Sequence, residues 1–157
     1  MSFSFSGVCQ QAASISEALT GDHDRLDDLL EGFQEWKVKD LDRAKGFLTQ
    51  FTLGLHRHLR WEEIILFPLF ERKTGQTGLT NTLRDEHAEI REWLTALGQK
   101  VEEKDAACAY EEKMLVEELG GHNAREEYAL YPELDKLLSD EEKKRVFEAM
   151  AAVPEGS

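Results

Sequence analysis

A chain of 157 residues with 32 acidic against 19 basic side chains carries a formal net charge of −13. Phosphate binding needs clustered Lys and Arg, so nucleic acid and anionic membrane are excluded as partners. The length suits one domain with a sizeable core, and a composition rich in Leu, Glu, Lys and Ala with few β-branched runs predicts an all-α fold. No apolar run approaches membrane-spanning length. The segment Met1–Cys9 has neither a basic nor a long apolar region. Cys9 and Cys108 form no C-x-x-C, which suits a reducing compartment, and the expected location is cytoplasmic.

The first helix is predicted from Ser14 or Ser16 to about Lys37. Ser14 with Glu17 reads as a capping box, and the apolar stripe is Leu19, Leu26, Leu30 and Phe33, with His23 inside it. Asp40 is a fair N-cap for the second helix. At 100° per residue, Phe47, Phe51, Leu55, His58, Glu62, Ile65 and Leu69 share one stripe there. Pro68 is expected to end or kink that helix, because proline lacks the N–H and clashes with the preceding turn. Gly75–Gly78 is the strongest loop signal in mid-chain. A third helix follows from about Thr80 to Lys104, with Leu83, Ile90, Leu94, Leu97 and Val101 as its stripe and His87 within it. The fourth runs from about Asp105 to Leu130, its stripe Cys108, Leu115, Leu119 and Leu130 enclosing His122 and Glu126. Pro132 is again expected as a stop. Ser139 with Glu142 opens a short last helix to about Ala152. No stretch reads as a strand.

An internal repeat organises these elements. His58-Leu-Arg-Trp-Glu62-Glu63 through Phe67-Pro68 reappears as His122-Asn-Ala-Arg-Glu126-Glu127 through Tyr131-Pro132, the pattern H-x-x-x-E-E-x-x-x-[FY]-P. His23 and His87 are separated by the same 64 residues as His58 and His122. Two helical hairpins of one design, joined by short connections, predict an up-down-up-down four-helix bundle over 14–138, with a short C-terminal fifth helix over 139–152 packed on it. His23 and His87 lie near the starts of their helices, and the H-x-x-x-E pairs near the ends of theirs. All six side chains should therefore meet at one level of the core.

Burying carboxylates without partners is expensive. Four inward imidazoles with two inward carboxylates read as a two-metal site: His23, His58, His87 and His122 as nitrogen ligands, Glu62 and Glu126 as bridges. Two histidines and a carboxylate per ion suit non-haem iron, with an oxo or hydroxo bridge completing the charge. Manganese or zinc occupancy is also open. A tetrahedral structural zinc fits poorly, because no thiolates are in place. Glu63 and Glu127 point some 100° off the stripe, where they can accept from ligand N–H groups or face solvent. Asp27, four residues from His23, is a candidate extra oxygen ligand, although its repeat counterpart is Arg91. His56 lies on the far side of its helix and reads as a surface residue. For Tyr128 and Tyr131, packing is preferred to a hydrogen bond with a bound small molecule.

These motifs, with Asp22-His23 and Asp85-Glu-His87, give a chain that resembles the hemerythrin-like (HHE cation-binding) family over residues 14 to about 138. The resemblance implies a di-iron site in a four-helix bundle, used for O2 binding, for sensing O2, NO or iron, or for repair of damaged iron centres. Oxygen carriers of the family have a fifth histidine where this chain has Arg91. The cysteine-containing N-terminal domain of the repair proteins has no counterpart in these residues. The expected function is therefore binding or sensing of O2, NO or iron rather than catalysis, with a di-iron oxidase or peroxidase-type enzyme, or an iron-centre repair protein, as the alternative.

Overall fold

The computed structural model describes residues 14–105 and 107–156, all helix and connection with no strand among them. The described residues form seven α-helices, α1 (Ile15–Trp36), α2 (Leu41–Trp61), α3 (Phe67–Thr74), α4 (Gly78–Glu102), α5 (Ala109–Arg125), α6 (Tyr131–Leu137) and α7 (Asp140–Ala151), with π turns Glu62–Leu66 between α2 and α3 and Glu126–Leu130 between α5 and α6. Three starts follow from their caps. Ser14 Oγ accepts from the Glu17 N–H at 3.0 Å, and Asp40 Oδ1 from the Arg43 N–H at 3.2 Å. At α7, Ser139 and Glu142 satisfy each other's backbone N–H groups at 3.1 Å, the reciprocal box expected there.

Neither proline stops its helix. α2 and α3 form one continuous rod through the first π turn, and α5 and α6 another through the second. In the π turns the Phe67 N–H reaches the Glu62 carbonyl and the Tyr131 N–H reaches the Glu126 carbonyl, five residues back. That wider turn re-phases the ladder just before Pro68 and Pro132, which then sit in the first turn of a new α-helical segment, where a missing N–H costs little. The real stops lie further on. Gly75 ends α3 in the left-handed conformation (φ 68°), and Leu138 ends α6 with an extended backbone. The fourth rod also begins later than expected: Lys104 turns the chain at φ 55°, and Cys108 sits at the cap of α5, buried against the core as its apolar character suggested. Cys9 lies outside the described residues.

The four rods run antiparallel. Arg84 of α4 grips Glu71 of α3 through two hydrogen bonds of 2.7 and 2.8 Å at one end of the bundle, while Lys37 pairs with Glu112 and Lys45 with Glu102 at the other. Asp135 of α6 caps α1, accepting from the N–H groups of Ile15 and Ser16 at 2.7 and 3.0 Å. The core is in two apolar layers. One holds Leu26, Phe33, Phe51, Leu55, Ile90 and Leu94; the other holds Leu19, Trp61, Phe67, Leu83, Leu134 and Met150. α7 closes the second layer, and Trp61 Nε1–H donates to the Met150 carbonyl at 3.0 Å. Between the layers lies a slab of polar side chains.

Candidate metal centre

That slab contains all six residues predicted from the repeat. His58, Glu62, His87, His122 and Glu126 are at most 1% exposed, and His23 is 4% exposed. The helical phase explains each placement. His23 lies one turn from Leu19 and Leu26, and His87 one turn from Leu83 and Ile90, on stripes that must face inward. His58 and Glu62 are stacked four residues apart, as are His122 and Glu126. Each glutamate is the first residue of a π turn, where the wider turn re-aims the side chains that follow it.

The ligating atoms converge. His87 Nε2 lies 3.1 Å from His122 Nε2 and 3.3 Å from Glu62 Oε1, and His122 Nε2 is 3.1 Å from Glu126 Oε1. His23 Nε2 is 3.5 Å from Glu126 Oε1, and His58 Nε2 is 3.5 Å from Glu62 Oε1. Two groups could each hold a cation: Glu62, His87, His122 and Glu126 in one, His23, His58 and Glu126 in the other, each with its atoms within 4.8 Å of one another. Glu126 belongs to both.

Every Nδ1 faces an acid. His58 Nδ1–H donates to Asp22 Oδ2 and His87 Nδ1–H to Glu63 Oε1, both at 2.8 Å. The looser pairs are His23 with Glu127 at 3.4 Å and His122 with Glu86 at 3.8 Å. The two hydrogen bonds fix the tautomers of His58 and His87 and turn their Nε2 inward, whereas His23 Nδ1 and His122 Nδ1 make no hydrogen bond. Three of the four acids are themselves held by arginine: Asp22 by Arg25 at 3.0 Å, Glu63 by Arg91 at 2.6 and 3.1 Å, and Glu86 by Arg125 at 3.0 Å. Glu63 and Glu127 were anticipated; Asp22 and Glu86 were not. A signal was available, since each directly precedes a histidine and the two are related by the repeat. They serve the histidine of the neighbouring helix, which sequence order conceals.

Asp27 lies outside both groups. It lines a cleft of about 370 Å³ with His23, Asp24 and Glu127 among its walls, and burial together with acidic neighbours pushes its carboxyl above the usual range. His56 is partly exposed and in neither group. Tyr131 departs from the expectation of simple packing. Fully buried, its hydroxyl is 2.7 Å from Glu62 Oε2 and 3.1 Å from Glu126 Oε1, donating to one at a time, and 3.4 Å from both His23 and His58 Nε2. Its repeat counterpart, Phe67, lays a ring 5.3 Å from that of His87.

The electrostatics follow from crowding charge in a dry layer. Burial and the adjacent Glu62 push Glu126 well above the ordinary carboxylate range. Burial also opposes charge on Glu62, but the neighbouring His58, together with contacts to Glu126 and His87, outweighs it and holds Glu62 well below that range. His87 overcomes burial through Glu62 and Glu63 and rises to about 9, whereas burial and the positive neighbour His87 bring His122 down to about 4. Glu62 Oε1 and Glu126 Oε2 are buried and accept no hydrogen bond. Leaving such acceptors unsatisfied is costly, and cations between the two carboxylates would occupy those lone pairs. The donor set, imidazole nitrogen and carboxylate oxygen without thiolate, suits a first-row divalent metal.

Residues 14–134 match the family model of the hemerythrin HHE cation-binding domain. The chain belongs to the hemerythrin HHE family. An uncharacterized hemerythrin-like protein of the fission yeast Schizosaccharomyces pombe is 33% identical over 131 residues, covering 82% of this chain. The chain spans 63% of the length of that relative. No solved structure matches. The hemerythrin match encloses the whole polar slab and both π turns, including the buried His/Glu cluster that could bind a cation. Among the described residues no helix is long and apolar enough to cross a membrane.

Proposed function

We propose that this hemerythrin-like protein holds two iron ions through His23, His58, Glu62, His87, His122 and Glu126, and binds or senses a small ligand there, O2, NO or iron itself. The observation that carries the reading is Glu126, shared by two groups of buried imidazoles and carboxylates in which Glu62 Oε1 and Glu126 Oε2 make no hydrogen bond. Bound iron would supply a redox-active Lewis acid able to take a diatomic molecule. The protein supplies the rest. Asp22 and Glu63 orient His58 and His87 through their Nδ1–H groups. The apolar layers above and below exclude water, which strengthens every charge interaction inside the slab. Phe67 and Trp61, with rings 5.3 Å from His87 and 5.9 Å from His58, leave an incoming molecule an apolar wall on one side.

Anaerobic loading with Fe(II), followed by O2 or NO and by optical spectra, tests this. Two irons per chain and a reversible spectral change are expected. Sustained turnover with a reductant would instead support a di-iron oxidase. Failure to take up two metals per chain would contradict the reading.

A further inference from the structure

The two halves of the centre are unequal, and the difference points to a ligand outside the His and Glu set. The group around His87 offers four side chains, Glu62, His87, His122 and Glu126, whereas the group around His23 offers three. On the deficient side sits one more oxygen. We propose that the phenol oxygen of Tyr131 is a ligand of the cation held by His23, His58 and Glu126, an inference that rests on the two-metal reading above. Tyr131 Oη lies 3.4 Å from His23 Nε2, 3.4 Å from His58 Nε2 and 3.1 Å from Glu126 Oε1, and His23 Nε2 lies 3.5 Å from Glu126 Oε1. Ligands about 2.1 Å from a tetrahedral ion are roughly 3.4 Å apart, and these four separations lie close to that spacing.

A purely supporting role explains less. A buried phenol needs one acceptor, and Glu62 Oε2 at 2.7 Å provides it. That bond alone gives no reason for the oxygen to be equidistant from two inward-facing imidazole nitrogens. Tyrosinate is an established class of iron ligand. On coordination the phenolic O–H breaks, an oxygen lone pair forms the bond to the ion, and the proton leaves to solvent, Glu62 Oε2 being the nearest base. In the other half Phe67 holds the equivalent position without an oxygen, and the set there already numbers four. The two ions are therefore chemically distinct, one with a phenolate and one without.

The chain has three tyrosines, and the other two, Tyr110 and Tyr128, are 62% and 90% exposed, so a phenolate signal at the centre is assignable to Tyr131. The test loads full-length protein anaerobically with Fe(II), oxidises it with ferricyanide, and records visible absorption and resonance Raman spectra alongside iron content. Wild type should hold two irons and show a phenolate-to-Fe(III) charge-transfer band with enhanced tyrosine ring modes. Tyr131→Phe should lose the band and the ring modes completely. Phenylalanine is tolerated at the equivalent Phe67, itself fully buried, and should fold here. Wild-type protein with two irons and no tyrosine modes would overturn this assignment alone, and that spectrum decides even if the variant does not fold. A band that survives in Tyr131→Phe would overturn it as well. Wild-type protein that takes up no iron would overturn both this inference and the two-metal reading.

Discussion

Each hairpin brings two histidines and a glutamate to the same level, yet the two halves of the centre support them differently. In the half built around His87, Glu63 is clamped by Arg91 with two hydrogen bonds, and Glu86 by Arg125. In the half built around His23, Asp22 has Arg25, but Glu127 faces Asp27 across an acidic cleft, where the repeat would put an arginine. One half closes on an aromatic ring, Phe67, and the other on a hydroxyl, Tyr131. The duplicated pattern thus sets where candidate ligands stand, while a few unduplicated positions set the field around them. A symmetric frame carries an asymmetric centre.

The sharpest way to break that comparison is at the shared residue. Glu126→Ala should reduce bound metal from about two ions per chain to none by elemental analysis, because Glu126 belongs to both groups. His87→Ala should leave the ion on the His23 side and bind about one. Equal loss in the two variants would mean that the halves are not separable.

A second test uses proton linkage in metal-free protein. His87, raised to about 9 in the fold, keeps a proton that the unfolded chain releases near 6.5. Its contribution is complete below pH 6.5 and is lost as pH rises to about 9, at most on the order of 3 kcal/mol. His122, lowered to about 4, acts oppositely and costs stability as pH falls below 6.5. Metal-free melting temperature should therefore decline on both sides of a maximum near neutrality. Metal should flatten the alkaline limb, since coordinated imidazoles no longer titrate there. A flat alkaline limb without metal would refute the assignment for His87.

Smaller effects should come from the acids behind the histidines. Asp22→Asn and Glu63→Gln, each at 2.8 Å from a ring nitrogen, should weaken metal affinity by about 10- to 100-fold in competition with a chelator. Glu127→Gln, at 3.4 Å, should cost less. The smallest effect is expected from His56→Ala, outside both groups, with metal content unchanged.

Much of this was legible in the sequence because period and repeat are one-dimensional signals. The stripes Leu19–His23–Leu26 and Leu83–His87–Ile90 declare which way their histidines face, and the 64-residue offset aligns the two hairpins. The prolines misled for a physical reason. Their effect depends on the ladder in front of them, and a π turn, which leaves no compositional mark in Glu62–Leu66, removes the clash at Pro68. Asp22 and Glu86 were missed because they serve histidines on other helices, and adjacency across a bundle is not adjacency in sequence. Tyr131 was read as packing for a related reason. Its ring does pack, and only the fold shows that its hydroxyl ends between two glutamates.

The most direct test of the two-metal account is anomalous diffraction at the iron edge from crystals of protein loaded with Fe(II). The account predicts two peaks roughly 3.5–4 Å apart, flanked by Glu126 and enclosed by the four histidines. No peak in the slab, or iron bound only at the surface carboxylates around Asp27, would contradict it.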